Sequence, residues 1–411
     1  MLYFYEVEGE TMNLRFSASD LAFREQVRAF FRQHLPDDIR LKTLNSEALA
    51  RNDIMRWHSI LHKRGWVAPN WPKEYGGPGW SVTQKYIFDE EHGLSGAPRL
   101  IQFGLGMCGP VLMAFGTELQ KSYHLPRILS GEHVWAQGYS EPGAGSDLAS
   151  LKTRARLDGN EWVISGQKLW TTQAHMADWV FLLARTSDEP KKQLGISFFL
   201  IPLDSPGIEI RPIHLLDGLH ETNAVFYDEV RIPKANIVGE PGAGWTIAKH
   251  LLAHERMAGG ALGQHKLILS QIKAIAAESM RLNGKPLGQD ATFARRIAEV
   301  EGDLRTLEAL TLKALAKVSA DRALGAEANV IKIRGTEVLQ RLTELRMEAL
   351  GPATFPYDID ALEGGWGNRP AVGDPRENGI APRYLHMRKV SIYSGSNEIQ
   401  HNIIAKTVLG L

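Results

Sequence analysis

Two short stretches of the sequence combine residues that could hold a flat ligand with polar edges. The first, GYSEPGAGSDLAS, has glycines that let a ligand approach the backbone, with polar atoms of Tyr139 and Ser140 beside them. The second, KLWTTQAHMADW, places the apolar ring of Trp170 next to two threonine hydroxyls. Taken singly, the first is a glycine-rich turn and Trp170 a core residue. Together they predict a stacking surface with hydrogen-bond donors, which a flavin ring requires.

A third stretch, GLGMCG, matches the dinucleotide-binding pattern G-x-G-x-x-G through Gly104, Gly106 and Gly109. It lies in a region with a helical pattern and is followed at once by Pro110. It also opens no strand-helix-strand unit, which a dinucleotide site requires. Tight helix packing or a turn therefore explains these glycines better than a nucleotide site.

Composition and charge exclude several other classes of protein. The 47 basic and 47 acidic residues give a net charge of zero, so bulk electrostatics favour neither nucleic acid nor an anionic membrane. The single cysteine, Cys108, excludes a disulfide framework and a multi-cysteine metal site, and it fits a cytoplasmic location. No run approaches the roughly 18 apolar residues of a membrane span, and the acidic opening, MLYFYEVEGETMNLRFS, argues against a signal peptide.

Helical and strand patterns divide the chain into three parts. In the first, apolar residues recur at helical spacing behind a capping Ser-Ala-Ser-Asp stretch, and turns such as NWPKEYGGPGWS separate the helices. From near Gly131, β-branched and aromatic runs such as WVFLLART and GISFFLIPL predict an all-β domain of roughly 110 residues. From Trp245 the helical pattern returns, first as one long helix, GWTIAKHLLAHERMAGGALGQHKLILSQIKAIAAESMRL.

These patterns predict a multi-domain α+β fold. We place a flexible N-terminal extension at 1–11, an all-α domain at 12–131, a β-domain at 132–243 and a second all-α domain at 244–411. At 411 residues, the chain is long enough for about two or three packed units. Their cores are large enough to bury a large ligand.

In this order and spacing, the stretches resemble the acyl-CoA dehydrogenase family from about Met12 to the C-terminus. Four more stretches carry the resemblance: HLPRILSGE before the first motif, VRIPKANIVGEPGAGW after the β-domain, LLAHER on the long helix, and YSGSNEIQHNIIAKTVLGL at the end. The resemblance implies an N-terminal helical domain, a middle β-barrel domain and a C-terminal four-helix bundle. This agrees with the domain order read from the residue patterns.

The resemblance also implies FAD as the cofactor. The residues expected at the flavin ring are Gln137, Tyr139 and Ser140 at its pyrimidine edge, and Trp170 and Thr172 near its hydride-accepting nitrogen. Ser396 and Glu398 occupy positions where the family places FAD contacts. Because a carboxylate and a pyrophosphate repel each other, we expect Glu398 to contact the adenosine instead. Ser146 is expected to face the CoA part of the substrate.

The position of the catalytic base distinguishes this chain within the family. Members commonly carry a glutamate base on the C-terminal loop, where this chain has Ser394, and a serine hydroxyl cannot remove the α-proton of a thioester unaided. Some members that handle branched or bulky chains place the base on the long helix, where this chain has Glu255 followed by Arg256. We therefore predict Glu255 as the base, with the Ser394 amide donating to the thioester carbonyl. A solvated Glu-Arg pair is the alternative.

Two glycines follow Glu255 on the predicted helix. Gly259 lies four residues later on the same face, with Gly260 beside it. Two glycines inside a helix cost on the order of 1 kcal/mol each relative to alanine, which indicates a need for space. We interpret that space as room for a wide acyl group, with close helix packing as the alternative. Arg256 and Tyr393 are further candidates for contact with the substrate.

Two stretches depart from the family. SMRLNGKPLGQ stands where many homotetrameric members carry Arg-x-x-Phe-Gly, which reaches the FAD of a neighbouring subunit; Arg281 is the arginine that remains, and Asn283 replaces the aromatic residue. Between Leu350 and Tyr393, a Pro-, Gly- and Asp-rich segment predicts an extended loop in place of a shorter connection. These departures resemble the large subunit of heterotetrameric acyl-CoA dehydrogenases of the pimeloyl-CoA and steroid side-chain type.

The resemblance implies FAD-dependent α,β-dehydrogenation of an acyl-CoA to the trans-2-enoyl-CoA, with a bulky, branched or dicarboxylic acyl chain. It further implies electron-transfer flavoprotein as the acceptor, a place in fatty acid β-oxidation, and a homo- or heterotetramer. Two alternatives remain: an acyl-CoA oxidase or flavin monooxygenase of the same fold, and a non-catalytic subunit of a heteromeric dehydrogenase.

Overall fold

The computed structural model describes residues 6–7, 10–11, 16–255, 261–280, 284–320, 322, 324–364 and 375–411, with side chains for 16–251, 261–280, 284–320, 322, 324–363 and 377–411. The chain separates into two compact units. Unit 1 comprises Met1–Glu47, Trp80–Ala97 and Arg256–Leu411. Unit 2 comprises Ala48–Gly79 and Pro98–Glu255.

The predicted order of a helical, a β and a second helical region is confirmed. The helices are α1 (Ala18–His34), α2 (Asp37–Asn45), α3 (Arg51–Arg64), α4 (Val82–Leu94), α5 (Gly109–Phe115), α6 (Glu118–Ser130), α7 (Gly244–Glu255), α8 (Leu262–Glu278), α9 (Ala291–Ser319), α10 (Glu327–Leu350), α11 (Ile359–Gly364), α12 (Pro375–Asn378), α13 (Ile380–His386) and α14 (Asn397–Ile404). The strands are β1 (Glu6–Val7), β2 (Glu10–Thr11), β3 (Trp135–Gly138), β4 (Arg154–Asp158), β5 (Glu161–Lys168), β6 (Trp179–Arg185), β7 (Ile196–Pro202), β8 (Ile208–His214), β9 (His220–Pro233) and β10 (Ile237–Val238).

One eight-stranded sheet in unit 2 contains Gln137, and the segments that follow its strands β3 and β5 contain Tyr139, Ser140, Trp170 and Thr172. Its strand order is β10-β7-β6-β4-β5-β9-β8, and β3 pairs in parallel with β6. The central strands β6 and β7 are buried on both faces, which is why their sequences are continuous apolar runs. The edge strand β8 has no buried residue. The sheet therefore gives β3 and β5 a rigid support.

In unit 1, buried carboxylates tie α4 to its neighbours. Glu90 and Glu91 are 3% and 4% exposed, respectively. Arg24 of α1 lies 2.8 Å from Glu90 through Nη2, and Arg28 Nε donates to Glu91 at 2.7 Å. Lys266 of α8 donates to Glu90. Because buried charges are tolerated only when paired, these side chains fix α1 and α8 against α4.

The backbones of α4 and α8 approach closely at two glycines. A Cβ added at Gly263 would lie 2.0 Å from the carbonyl oxygen of Glu90, and one added at Gly93 would lie 2.5 Å from the amide nitrogen of Gln264. The obstructing atoms are backbone atoms, which cannot move aside without separating the helices. Glycine is therefore required at both positions.

We expect Gly263→Ala to lower the free energy of unfolding by about 2 kcal/mol or more, because the methyl group overlaps the α4 backbone. Urea unfolding followed by circular dichroism measures this loss. Gly302→Ala on α9 is the matched control, since an added Cβ there meets no atom within 4 Å. The control should gain up to about 1 kcal/mol from helix propensity. Equal stability of the two variants would contradict the packing described for α8.

Two expectations from the sequence require correction. The segment predicted as one long helix forms α7 and α8, because Ala261 has a left-handed backbone (φ 37°) and α8 begins after it. Outside 365–374, the segment after Leu350 is not an extended loop: it forms α11, α12, α13 and two 3₁₀ turns. Its Pro and Gly residues bound short helices rather than excluding them.

The GLGMCG stretch forms a π-helix from Phe103 to Cys108, continuous with α5. A Cβ at Gly109 would lie 2.3 Å from the Trp71 ring, and Trp71 Nε1 donates to the Leu105 carbonyl at 2.6 Å. The prediction of tight helix packing is therefore confirmed.

Among the helices in the described ranges, none has the length and apolarity needed to cross a membrane.

Candidate functional site

The first predicted motif follows β3 in unit 2. Gln137 pairs with Phe181 of β6, and Ser140 lies just beyond the strand end; both are partly exposed. Tyr139 is 7% exposed, and its ring packs edge-on against Phe181 with centroids 5.7 Å apart. Ser146 is exposed in the following loop. This loop therefore presents Ser140 and Ser146 outward, while Tyr139 anchors it to the core.

A buried ion pair beneath this loop was missed from the sequence. Lys168, at the end of β5, is fully buried, and its Nζ donates to Glu141 Oε1 at 2.7 Å and to the Tyr139 carbonyl at 3.1 Å. Glu141 also accepts from the backbone amides of Lys152 and Thr153 at 2.6 and 3.0 Å. The pair thus fixes both ends of the loop that carries Ser140 and Ser146.

Burial and pairing shift the pKa of both partners of this pair. Burial lowers the pKa of Lys168 to about 8, although Glu141 opposes this shift. Burial alone would raise the pKa of Glu141, but the charge and hydrogen bond of Lys168 and the bonds from Thr153 and Lys152 outweigh it and lower that pKa. No periodic signal marked Lys168, because burial along β5 does not alternate and its register shifts between Ile164 and Gly166.

The second predicted motif begins directly after β5 and adjoins the first. The Leu169 amide donates to the Ser140 carbonyl at 2.8 Å, so the two stretches lie side by side in unit 2. Trp170 is 54% exposed, and Thr172 is partly exposed. An exposed indole beside hydroxyl groups can stack on a flat ring and donate to its polar edge.

The C-terminal residues of the prediction lie in unit 1. Ser394 and Gly395 both have left-handed backbones, with φ of 56° and 78°. The buried Gln400 side chain donates to the carbonyls of Ser394 and Gly395 at 3.3 and 3.1 Å. Tyr393 and Ser394 are exposed. Gln400 therefore holds the backbone of this turn, while the side chains of Tyr393 and Ser394 are exposed to solvent.

Ser396 and Glu398 begin α14. Ser396 is the N-cap, and its Oγ accepts from the Ile399 amide at 3.4 Å. The exposed Glu398 carboxylate accepts from its own amide and from Ser396, and these bonds lower its pKa. Both residues therefore serve the helix terminus as well as any ligand placed there.

A polar face of α10 holds this C-terminal turn and was also missed from the sequence. Its members are spaced on one side of the helix: Asn329, Lys332, Thr336 and Gln340. Asn329 donates to Gln400 Oε1 at 2.5 Å, and Lys332 donates to Asn397 Oδ1 at 2.9 Å. Buried polar residues recurring at helical spacing are the signal that could have identified them.

Several predicted residues lie outside the described part of the structure. Glu255 ends α7, but its side chain is not described. Arg256, Gly259, Gly260 and Arg281 fall within 256–260 and 281–283, which are outside the described residues. The structure thus brings the stretch that carries Trp170 and Thr172 beside Ser140 in unit 2, and in unit 1 it describes the predicted residues at 393–398. The roles of Glu255 and its neighbours stay predictions.

Comparisons with known proteins place the chain in a class and a family. Three family models cover it in order: acyl-CoA dehydrogenase N-terminal domain (17–132), middle domain (136–230) and C-terminal domain (242–409). Its class is that of oxidoreductases acting on a CH-CH bond. The chain belongs to the acyl-CoA dehydrogenase family.

Individual relatives match over nearly the full length. The acyl-CoA dehydrogenase IpdE1 of Mycobacterium tuberculosis is 37% identical over 394 residues, covering 95% of this chain and 97% of the relative. FadE26 of the same organism is 32% identical, covering 97% and 99%. Among solved structures, the Tcur3481-Tcur3483 steroid acyl-CoA dehydrogenase matches with a TM-score of 0.84 at 32% identity, covering 97% and 99%. The ChsE4-ChsE5 complex of Mycobacterium tuberculosis matches with 0.83 at 32% identity over the same shares.

Proposed function

We propose that the protein catalyses FAD-dependent α,β-dehydrogenation of a bulky, branched or dicarboxylic acyl-CoA to its trans-2-enoyl-CoA. One observation carries the proposal: the Leu169–Ser140 hydrogen bond joins two motifs that together expose an indole ring and hydroxyl groups. Family membership supplies the chemistry expected at that surface. When bound, FAD would accept the hydride from the β-carbon of the substrate.

The residues present fit a flavin. A half-exposed tryptophan on a rigid sheet offers a stacking face, and the donor set around it suits the ring's polar edge. The residues of unit 2 that would hold FAD are Gln137, Tyr139, Ser140, Trp170 and Thr172. The FAD contacts of Arg281, Ser396 and Glu398 stay predictions from the resemblance. Tyr139 would act through its backbone, since its ring is buried against Phe181.

The chain's own acid-base chemistry would come from Glu255. Removal of the proton α to the thioester requires a carboxylate or equivalent base, and Ser394 replaces the glutamate commonly found on the C-terminal loop. The amide of Ser394 would donate to the thioester carbonyl and stabilise enolate character. The rigid hold of Gln400 on this turn supports that role, because such donors act best when fixed in advance.

A basic pocket in unit 2 supports a CoA ester as the substrate. This pocket, of about 440 Å³, follows the loop that carries Ser146. Its charged lining residues are Lys152, Arg154, Arg185 and Lys192, with Asp188 and Glu189, a net charge of +2 from four cations and two acids. Arg154 pairs with Asp188, and Arg185 donates to backbone carbonyls. Within the described residues, Lys152 and Lys192 make no ion pair, so both can meet phosphate.

We expect the double substitution Lys152→Glu and Lys192→Glu to raise KM for an acyl-CoA at least about tenfold, because charge-assisted bonds to phosphate contribute about 1.5–3 kcal/mol each. Steady-state kinetics with the acyl-CoA and with the matching acyl-pantetheine, which lacks the nucleotide phosphates, measure the effect. The acyl-pantetheine KM should stay unchanged. Arg211→Glu on the edge strand β8 is the control for a charge reversal outside the pocket, and equal losses with both substrates would contradict a phosphate role for this pocket.

The relatives support the proposals for the acyl group and the assembly. One matched structure is named a steroid acyl-CoA dehydrogenase and another a ChsE4-ChsE5 complex, which supports a wide acyl chain and a heteromeric assembly. Electron-transfer flavoprotein is the proposed acceptor. Native mass spectrometry that shows only a homotetramer with full FAD occupancy would overturn the heteromeric assembly.

Anaerobic bleaching of the bound flavin tests the proposed function directly. A panel of straight-chain, branched, dicarboxylyl and steroid acyl-CoA esters should bleach the flavin, with the bulky esters most effective. Absence of bleaching with every ester, despite bound FAD, would identify a non-catalytic subunit. Rapid reoxidation in air without an acceptor would identify an oxidase or monooxygenase instead.

A further inference from the structure

The backbone of Trp170 is unusual for so large a residue. Its φ is 60°, in the left-handed region, and its ring is 54% exposed. A bulky side chain avoids this region unless the surrounding structure imposes it. The group that imposes it also determines where the indole ring is presented.

The cause is a change of register between β5 and β9. After an earlier register shift between Ile164 and Gly166, the two strands pair regularly from Gly166 opposite Tyr227 to Lys168 opposite Val225. Beyond that point, Thr171 and Asn223 exchange two backbone hydrogen bonds of 2.9 and 3.1 Å. Three steps on one strand, from 168 to 171, therefore match two on the other, from 225 to 223, which defines a β-bulge. The bulge directs Trp170 outward while Thr171 stays buried.

The side chain of Asn223 binds the bulged segment from the interior of the protein. It is fully buried, and its Nδ2 donates to the Thr171 carbonyl at 2.9 Å and contacts His175 Nδ1 at 3.2 Å. Its Oδ1 lies 2.7 Å from His220 Nε2. The carboxamide thus uses both of its donor hydrogens and its oxygen.

The Thr171 carbonyl determines the orientation of the carboxamide, and two histidines contact its nitrogen and its oxygen. Their rings stack with centroids 3.8 Å apart. His220 donates through Nε2, and His175 accepts through Nδ1, because the amide nitrogen of Asn223 must face the Thr171 carbonyl. Burial and the neighbouring His220 lower the pKa of His175, and the hydrogen bond with Asn223 opposes this shift.

We propose that Asn223 is a positioning residue that sets Trp170 for stacking, with His175 and His220 holding its carboxamide in place. Its contribution to ligand binding rests on the proposed function, because Trp170 is the residue expected to stack on the flavin. Its contribution to the bulge is independent of the proposed function. Asn223 touches neither substrate nor cofactor and acts through the 169–172 segment.

Hydrogen exchange on the apoprotein tests the effect on the bulge. Asn223→Asp keeps the shape of the side chain but places a carboxylate oxygen against the Thr171 carbonyl, so the 170–173 amides should exchange at least about tenfold faster. Thr222→Val on the same strand is the control, since Thr222 Oγ1 is buried without a partner in the described structure. His220→Phe keeps ring stacking and removes one donor, and it should have an intermediate effect if Asn223→Asp does not fold.

FAD affinity, measured by fluorescence titration of the apoprotein, tests the effect on the ligand. Asn223→Asp should raise the Kd for FAD about tenfold in the wild-type background and much less in a Trp170→Ala background. A merely structural role would give the same factor in both. Equal factors, or 170–173 exchange at the wild-type rate in the folded variants, would overturn the inference. If the wild-type chain binds no FAD, the proposed function fails, while the exchange rates still decide the role of Asn223.

Discussion

Glu255→Gln should lower kcat for the acyl-CoA about 10²- to 10⁴-fold, because general-base catalysis contributes on that order and Ser394 cannot replace the carboxylate. The amide keeps the size and polarity of the side chain, so FAD occupancy and KM should change little. Anaerobic single-turnover bleaching of the flavin measures the proton-abstraction step without product release. Normal bleaching with full FAD would show that the base lies elsewhere.

A rescue variant separates loss of the base from general damage. In the family that this chain resembles, the loop position of Ser394 commonly carries the glutamate. Glu255→Gln combined with Ser394→Glu should therefore regain at least about tenfold of the lost rate. Glu118→Gln, at an exposed site on α6, is the control for the substitution itself and should leave the rate unchanged. No recovery in the double variant, with FAD bound, would show that a glutamate at position 394 cannot replace the carboxylate of Glu255.

Lys168→Met should lower the free energy of unfolding by about 3–5 kcal/mol, because it leaves the Glu141 carboxylate buried without its cation. Urea denaturation with tryptophan fluorescence measures the loss. The pair of Lys121 with Glu118 gives the control, since the Glu118 carboxylate is exposed to solvent and such a screened pair contributes about 0–1 kcal/mol, so Lys121→Met should cost much less.

A double variant shows whether the pairing itself is responsible. Lys168→Met with Glu141→Gln removes both charges, so it should be less destabilised than the sum of the two single variants. The remaining amide can still accept from the Lys152 or Thr153 backbone. Additive losses would show that the two side chains act independently, contrary to the geometry of the loop.

Local features of the fold could be read from the sequence because they depend on neighbouring residues. The capping stretch before α1 places Ser17 as the N-cap, with its Oγ accepting from the Asp20 amide. The apolar runs around β6 and β7 become strands buried on both faces. The prediction of one continuous helix through Gly259 was wrong at Ala261, because the spacing of apolar residues does not reveal a single residue with a left-handed backbone.

The candidate site likewise contains residues that the sequence predicted and residues that it did not. Residue types predicted the stacking surface around Trp170, and the structure brings it beside Ser140. Neither Lys168 nor Asn223 was predicted, because each acts through contacts distant in sequence: 27 residues separate Lys168 from Glu141, and 52 separate Asn223 from Thr171. Such partners become visible only after the strands pair.

The sequence by itself determined the order of helical and β regions, the motifs that identify the family, and the replacement of the loop glutamate by Ser394. These depend on residue type and short spacing, which a linear chain carries in full. The tertiary structure decided how the motifs are held: the buried pair of Lys168 with Glu141, the polar face of α10 under the C-terminal turn, and the bulge that presents Trp170. The physical reason is that a buried polar group needs a partner brought to it by folding, and the chain order does not specify which one.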